Sequence, residues 1–452
     1  MAGMVVKNNM SAINTLNTLN KNHSALSKSL QKVSSGMRIN SAADDASGYA
    51  ISERMRVQIR SLDQDNRNTQ NGNSMMKVAE GAVSSTVEIL KTLKENVINA
   101  ANDTNTDSDR QQIQKELDQS IDQINDNANV TYNGKYLVDG SHNRRVSTSA
   151  DKLADVATHL TNESLATNTK WGSAFSDLKN RNGESLNIQS TDMVTISVVN
   201  EGKTYTTTFK ADTELTAGFT TKLNNALSGK TKFSDKHSGV TTVDIGAQIG
   251  TGPSATAVST ADLGTALTLK SKTDGVKGQI SGLTISITDS NGNINKSANA
   301  CLDNFTETIR AQNKSEDNAI VLQTGTKANQ AIKIGLTDMR AQALGLQGAD
   351  GSTLNVSTQK NANAAINVLD NAIQKALDQQ TTIGAIESRL EYTSTNLTTA
   401  SENVTASEST IRDADMAKEM TEYTKNNVLL QAAQSMLAQA NQNSSSVLSL
   451  LQ

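Results

Sequence analysis

NANAAINVLDNAIQKALDQQTTIGAIESRLEYTSTNLTTASENVTASESTI, residues 361–411, sets Leu369, Ala376, Ile383, Leu390, Leu397, Val404 and Ile411 at strict seven-residue intervals. Ile366, Ile373 and Ile386 fall three or four residues from that seam. An ideal helix drifts against such a repeat, so this one must wrap a partner to keep its stripe covered. No proline interrupts the stretch, and Gly384 is its single glycine. Unbroken from 361 to 450, the helix would run on the order of 135 Å, the length of a rod rather than of a compact domain.

Past Ile411 the spacing continues through Met416, Met420, Tyr423, Leu430 and Leu437, yet residues 426–452 carry no charge. Asn426, Asn427, Gln431, Gln434, Gln439, Asn441 and Gln442 punctuate that stretch and argue against a membrane span, where each amide is costly. A helix buried among protein neighbours on several sides fits better. Its apolar content alone does not offset the entropy of ordering it. The C-terminal end is therefore expected to be mobile alone and to fold in an assembly.

The rest of the 452-residue chain is as sparing with globular material. Aromatic residues make up 3%, Trp171 is the one tryptophan and Pro253 the one proline. Few aromatics leave little for a large core, and the absence of proline permits long helices. A net charge of −4 is too near neutral to signal nucleic-acid binding. Cys301, the single cysteine, has no intramolecular disulfide partner. The N-terminus, MAGMVVKNNMSAINTL, lacks the apolar core of a cleavable signal peptide, so any export is expected to be leaderless.

Near that end, Leu16, Leu19, Leu26, Leu30, Val33 and Met37 form a second three-four seam, with His23 in its one polar gap. Gly36 and NSAADDASG (40–48) interrupt it, and Ser41, Asp44 and Asp45 are good helix starters. A further helix is expected through Ile51, Met55, Ile59 and Leu62 and on past Met76, Val83, Val87 and Leu90. Its middle, with Asn66, Asn68, Asn71, Gly72 and Asn73, reads as a weaker seam. Residues 1–60 hold eight basic against three acidic side chains, and 380–452 hold four against eight. Two heptad-bearing ends of opposite sign are expected to pair.

Helical periodicity returns over 107–129 and stops at the turn signal Asn133-Gly134. Alternation then takes over: Val194, Ile196 and Val198, then Tyr205, Thr207 and Phe209, flank Asn200-Glu201-Gly202 as a hairpin does. Leu283, Ile285 and Ile287 alternate before Asn291-Gly292, and a smaller hairpin is expected near 319–323 and 331–337. The fold class is mainly α with a β-rich insert. Long N- and C-terminal coiled-coil helices are expected to pack as a rod, with a β-containing central domain between them.

Chemistry is absent from the motifs. His23, His142, His159 and His237 are scattered without HExxH spacing, and there is no zinc, P-loop or GxSxG pattern. Asp44 and Asp45 read as partners of a helix N-terminus rather than as a catalytic pair. The expectation is no enzyme, no cofactor and no metal.

SSGMRINSAADDASGYAISERM (34–55) closely resembles the N-terminal signature of bacterial flagellins. STIRDADMAKEMTE (409–422) and MLAQANQNSSSVLSLL (436–451) resemble their C-terminal signature. TYNGKYLVDG (131–140) and LQTGTKANQAIKIGLTDMRAQALGL (322–346) extend the likeness to about 1–145 and 318–452. It implies a filament-core helix at 1–40, a helical rod portion at 41–179 and a variable outer domain at 180–298. A second rod portion with hairpin and long helix follows at 299–409, and a second filament-core helix at 410–452. It implies a structural subunit that self-assembles into the flagellar filament for swimming and leaves the cell uncleaved through the flagellar type III system. Expected partners are further copies of the chain, an export chaperone, and the filament cap and hook-junction proteins, with no nucleic acid and no membrane. Leu26, Leu30 and Val33, with Leu430, Leu437, Val447 and Leu450, would be the filament-core assembly residues.

The same resemblance places the recognition stretch of the animal flagellin sensor, Toll-like receptor 5, on LKTLKENVINAAN (90–102). Where strongly sensed members carry an arginine flanked by glutamine, this chain has Lys91 and Thr92; where they carry a leucine after the glutamate, it has Asn96. Glu95 and Glu116 match. Losing a hot-spot arginine and an apolar contact would each cost more than about 1 kcal/mol, so sensing is expected to be weaker. A hook–filament junction protein, which shares both terminal patterns but caps growth, is the alternative. Elongation on filament seeds separates the two.

Overall fold

The computed structural model describes residues 9–146, 157–166, 169, 172–215, 217–223, 243–244, 267–271 and 275–450. The chain is mainly helical with a β-containing central region, and it divides into two compact units. One comprises 1–70, 323–330 and 392–452; the other comprises 71–322 and 331–391.

Helix α1, Met10–Ser35, starts at Asn9, whose side chain accepts from the Ala12 amide, and ends where Gly36 turns left-handed at φ 70°. Helix α2, Ala46–Ala100, is opened by Asp45, whose carboxylate accepts from the Ser47 and Gly48 amides. Its asparagine-rich middle stays helical. Gly72 has a packing reason: a Cβ there would stand 2.3 Å from Leu322 Cδ2. Helix α3, Asp107–Ala128, begins in a reciprocal Thr106–Asp109 capping box.

The turn signals fold as expected. Strands β1 (Thr131–Tyr132) and β2 (Lys135–Tyr136) meet across Asn133 and Gly134, both at positive φ. Strands β4 (Met193–Asn200) and β5 (Lys203–Lys210) pair in register across Glu201 (φ 49°) and Gly202 (φ 75°), the two left-handed residues of a type I′ hairpin. Strand β8 (Ile280–Thr288) completes a three-stranded antiparallel sheet in the order β5-β4-β8.

A second sheet has the order β6-β7-β3-β9, built from β3 (His159–Asn162), β6 (Val243–Asp244), β7 (Leu267–Ser271) and β9 (Phe305–Ile309). Strands β3 and β9 lie outside 180–298, so β-structure begins earlier and ends later than the alternation indicated. A short helix α4 (Lys296–Leu302) packs with these strands around Phe175, Phe219, Leu160 and Ile287. The chain enters and leaves this core at one antiparallel bridge. Val146 donates to the Ser315 carbonyl at 2.9 Å, and Ser315 donates back at 3.1 Å.

Strands β10 (Ile320–Gln323) and β11 (Ala331–Ile334) form the smaller hairpin, and α5 runs from Gln359 to Arg412. Its heptad residues Leu369, Ala376, Ile383 and Leu390 are fully buried with Val83, Val87, Leu117 and Ile121 of α2 and α3. On the other side, β8 lies close against α5: a Cβ at Gly282 would meet Val368 at 2.7 Å, and Asn371 donates to the Ser281 carbonyl at 2.9 Å. The helix does not continue to 450. It stops at Arg412, and α6 (Met416–Leu450) starts anew after Asp415, whose carboxylate caps the Ala417 and Lys418 amides.

Candidate assembly surface

Helices α1 and α6 pair antiparallel. Asn9 donates to the Ala440 carbonyl at 3.3 Å, Asn22 to the Leu429 carbonyl at 3.2 Å, and Asn426 to the Ser29 hydroxyl at 3.0 Å. Lys32 reaches Glu419 at 3.3 Å. Partly or wholly covered positions of α1 include Thr15, Leu19, Asn22, Leu26, Ser29 and Val33; those of α6 include Glu419, Tyr423, Asn426, Leu430, Ala433, Leu437 and Ala440. Both sets step by three and four, the spacing of a coiled-coil seam. Only Ser29, Ala433 and Ala440 among these are fully buried, so small residues bring the two backbones close.

This alters the expected seam. Leu26, Val33, Leu430 and Leu437 lie half-buried along the pairing stripe, but Leu30 is 52% exposed and Leu16 45%. The side chains of Val447 and Leu450 lie outside the described residues. Charge complementarity contributes one ion pair between the helices, Lys32–Glu419. A second set of large apolar side chains is exposed: Met10, Ile13, Leu16 and Leu30 on α1, and Met420, Val428, Leu429 and Met436 on α6.

Where α5 breaks, Arg412 draws the two chain ends together. Its guanidinium is buried, donates to Glu53 at 2.6 Å and to the Ser52 hydroxyl at 3.3 Å, and lies 5.5 Å from the Tyr49 ring centroid. Its carbonyl accepts from the Arg38 amide at 2.7 Å, and the Ala414 amide donates to the Gly36 carbonyl at 2.9 Å. The Arg412 hydrogen bond holds the Glu53 carboxyl below its usual range. Here an acid near the N-terminal end meets a base near the C-terminal end, the reverse of the overall charge pattern. Next to this junction Asp44 accepts from the Asn40 and Ser41 amides, which lowers its pKa, chiefly through Ser41. The signature NSAADDASG is thus a backbone-capping device.

Sequence reasoning missed Ser29, Asn426 and Arg412. A search that followed any three-four repeat, polar residues included, would have found the first two. The aspartate before MAKEM was a readable helix start for α6.

On α2 and α3, Lys91, Thr92, Glu95 and Glu116 are exposed. Lys91 pairs with Glu88 at 2.7 Å, and Thr92 donates to the Glu88 carbonyl at 3.1 Å. Asn96 donates to Glu116 at 2.9 Å, tying the two helices together. Among the described residues no helix is long and apolar enough to cross a membrane.

Comparison with known proteins places matches at both ends. The family model for the bacterial flagellin N-terminal helical region matches residues 6–143, and that for the C-terminal helical region matches 366–451. The flagellin of Clostridium tyrobutyricum is 34% identical over 443 residues, covering 97% of this chain and 99% of that protein. The flagellin of Bacillus subtilis (strain 168) is 29% identical over 468 residues, covering 99% and 100%. A solved flagellar junction protein from Legionella pneumophila shares 13% identity, covers 80% of this chain and 99% of its own, and has a TM-score of 0.32, too low to carry an argument.

Proposed function

The chain belongs to the bacterial flagellin family, and from that premise we propose that α1 and α6 are the elements through which it self-assembles into the flagellar filament. It is a structural protein of the filament and not an enzyme, as its family is. One observation carries the assignment to these helices: besides the apolar residues that pair them, a second set of large apolar side chains stays exposed. Met10, Ile13, Leu16 and Leu30, with Val428, Leu429 and Met436, are 42% to 63% exposed. Apolar surface of that extent marks a protein–protein contact. A second copy of the same pair supplies what covers it, and a contact between non-identical patches propagates as an open helix instead of closing.

Export follows the same logic. The chain travels uncleaved through the type III apparatus to the cell exterior, with the apolar face of α6 held by a chaperone until then. The filament cap and hook-junction proteins are its partners at the two ends of the polymer. Toll-like receptor 5 is a weakened partner: Thr92 and Asn96 replace an arginine and a leucine, and Asn96 is engaged with Glu116. Undiminished receptor activation at equal dose would overturn that last statement.

The assembly reading is tested by sedimenting purified chain with and without short filament seeds, beside a chain lacking residues 412–452. Seeded growth by the full chain alone is the expected result. A full chain that stays soluble with seeds favours a capping, hook-junction role. Equal growth by the shortened chain removes α6 from the assembly surface.

A further inference from the structure

A cavity of about 350 Å³ opens within the larger unit, bordered by Ser141, Asn143, Thr337, Arg340, Ala343 and Lys375. That volume suits a small molecule. Lys375 sits on α5 with only 8% of its surface exposed, and its ammonium donates to the Ala343 carbonyl at 2.6 Å. An ammonium has three donors, and the other two have no partner among the described residues.

The nearby carboxylates lie beside arginines, although Glu307 Oε1 is buried without a hydrogen-bond partner. Glu307 of β9 faces Arg310 at 3.5 Å, and Asp338 is held by the Nε and Nη2 of Arg340 at 3.0 and 2.7 Å. Arg310 also reaches Asp378 at 2.5 Å. Among the described residues no acid lies within ion-pairing distance of Lys375. A buried cation with no carboxylate in direct contact is costly, and it borders a cavity whose wall carries Lys314, Arg340, Glu316 and Asp338 beside its hydroxyls and amides.

We propose that this cavity binds a small polyhydroxy carboxylate, such as a sugar acid, with its carboxylate on the Lys375 ammonium and its hydroxyls on Ser141, Asn143 and Thr337. Three bases, Lys314, Arg340 and Lys375, against two acids, Glu316 and Asp338, select an anion. Ser141, Asn143 and Thr337 select hydroxyl groups over an apolar tail.

Titration gives the site a signature. Burial lowers the Lys375 amine to about 8, with Glu307 and Asp338 opposing that shift and Arg310 adding to it. Burial raises Glu307 to about 7. As pH climbs through this range the amine loses its charge and Glu307 gains one, and both changes weaken an anion.

The test is calorimetric titration of the full-length monomer with D-gluconate and with its uncharged counterpart D-glucitol, at about pH 7 and about pH 9. Gluconate alone is expected to bind, more weakly at the higher pH. Lys375→Met, which removes an unpaired buried charge and keeps the length of the side chain, is expected to bind gluconate at least about tenfold more weakly. No gluconate binding to the unmodified chain, equal binding by K375M, or equal binding of glucitol would each overturn the proposal. Should K375M not fold, an affinity that does not fall between the two pH values does the same.

Discussion

At the scale of single residues, two buried ionic groups have opposite consequences. Arg412 is held by Glu53, Ser52, the Met37 sulfur and the Tyr49 ring. Truncating it leaves those groups without their donor. Arg412→Ala is expected to destabilise the smaller unit by about 2 kcal/mol, read by urea denaturation. Arg412→Lys is expected to recover only part of that loss, because an ammonium lacks the planar fork. Glu307 works the other way. Its pKa rises from the usual 4.5 to about 7, so between those values the folded chain binds more protons than the unfolded one. Its contribution favours folding at the acid end and is lost as pH rises through that window. Glu307→Gln is expected to flatten this slope in the pH dependence of the melting midpoint.

At the scale of elements, helices α1 and α6 carry two faces with separate jobs. Ser29 lies in the pairing stripe, and a larger side chain there forces the backbones apart at a cost of about 1–3 kcal/mol. Ser29→Leu is expected to speed hydrogen exchange across residues 416–440 of the monomer. Leu30→Ser changes the outward face, so it should leave that exchange unaltered and slow seeded growth. The two variants separate pairing within the chain from contact between chains.

The same helices show what could be read in advance. Hairpins at Asn133-Gly134 and Asn200-Glu201-Gly202 were legible because a type I′ turn demands left-handed residues that few sequences supply. The deep half of the α5 seam, Leu369 to Leu390, was legible because strict heptads have few other uses. The pairing stripe was legible only in part, through Leu19, Leu26, Val33, Leu430 and Leu437, since Ser29, Asn22 and Ala433 yield no hydrophobic signal, while Leu30 yields one and faces outward. Nor was the sheet that joins β3 to β9, whose partners lie far apart in sequence with no turn between them.

At the scale of the whole molecule, the second core begins and ends at one pair of hydrogen bonds, Val146 with Ser315. Replacing 147–314 by Asn-Gly would close that gap with a two-residue turn. The shortened chain is expected to keep its helical circular dichroism and to melt earlier. Val368 and Ala364 of α5 then lose the cover of β8, at a cost of about 2 kcal/mol or more. Loss of the helical signal would mean that the β-containing core is needed to fold the helices.

The antiparallel fit of α1 on α6, with Asn9 beside Ala440, has a practical side. A fluorophore attached at Asn9 or at Ala440 would arrive at the same spot, next to the apolar side chains proposed to meet a neighbouring copy. Moving the label from one of these positions to the other would change nothing. Exposed Asn291-Gly292, at the tip of a turn in the other unit, is where an imaging label belongs.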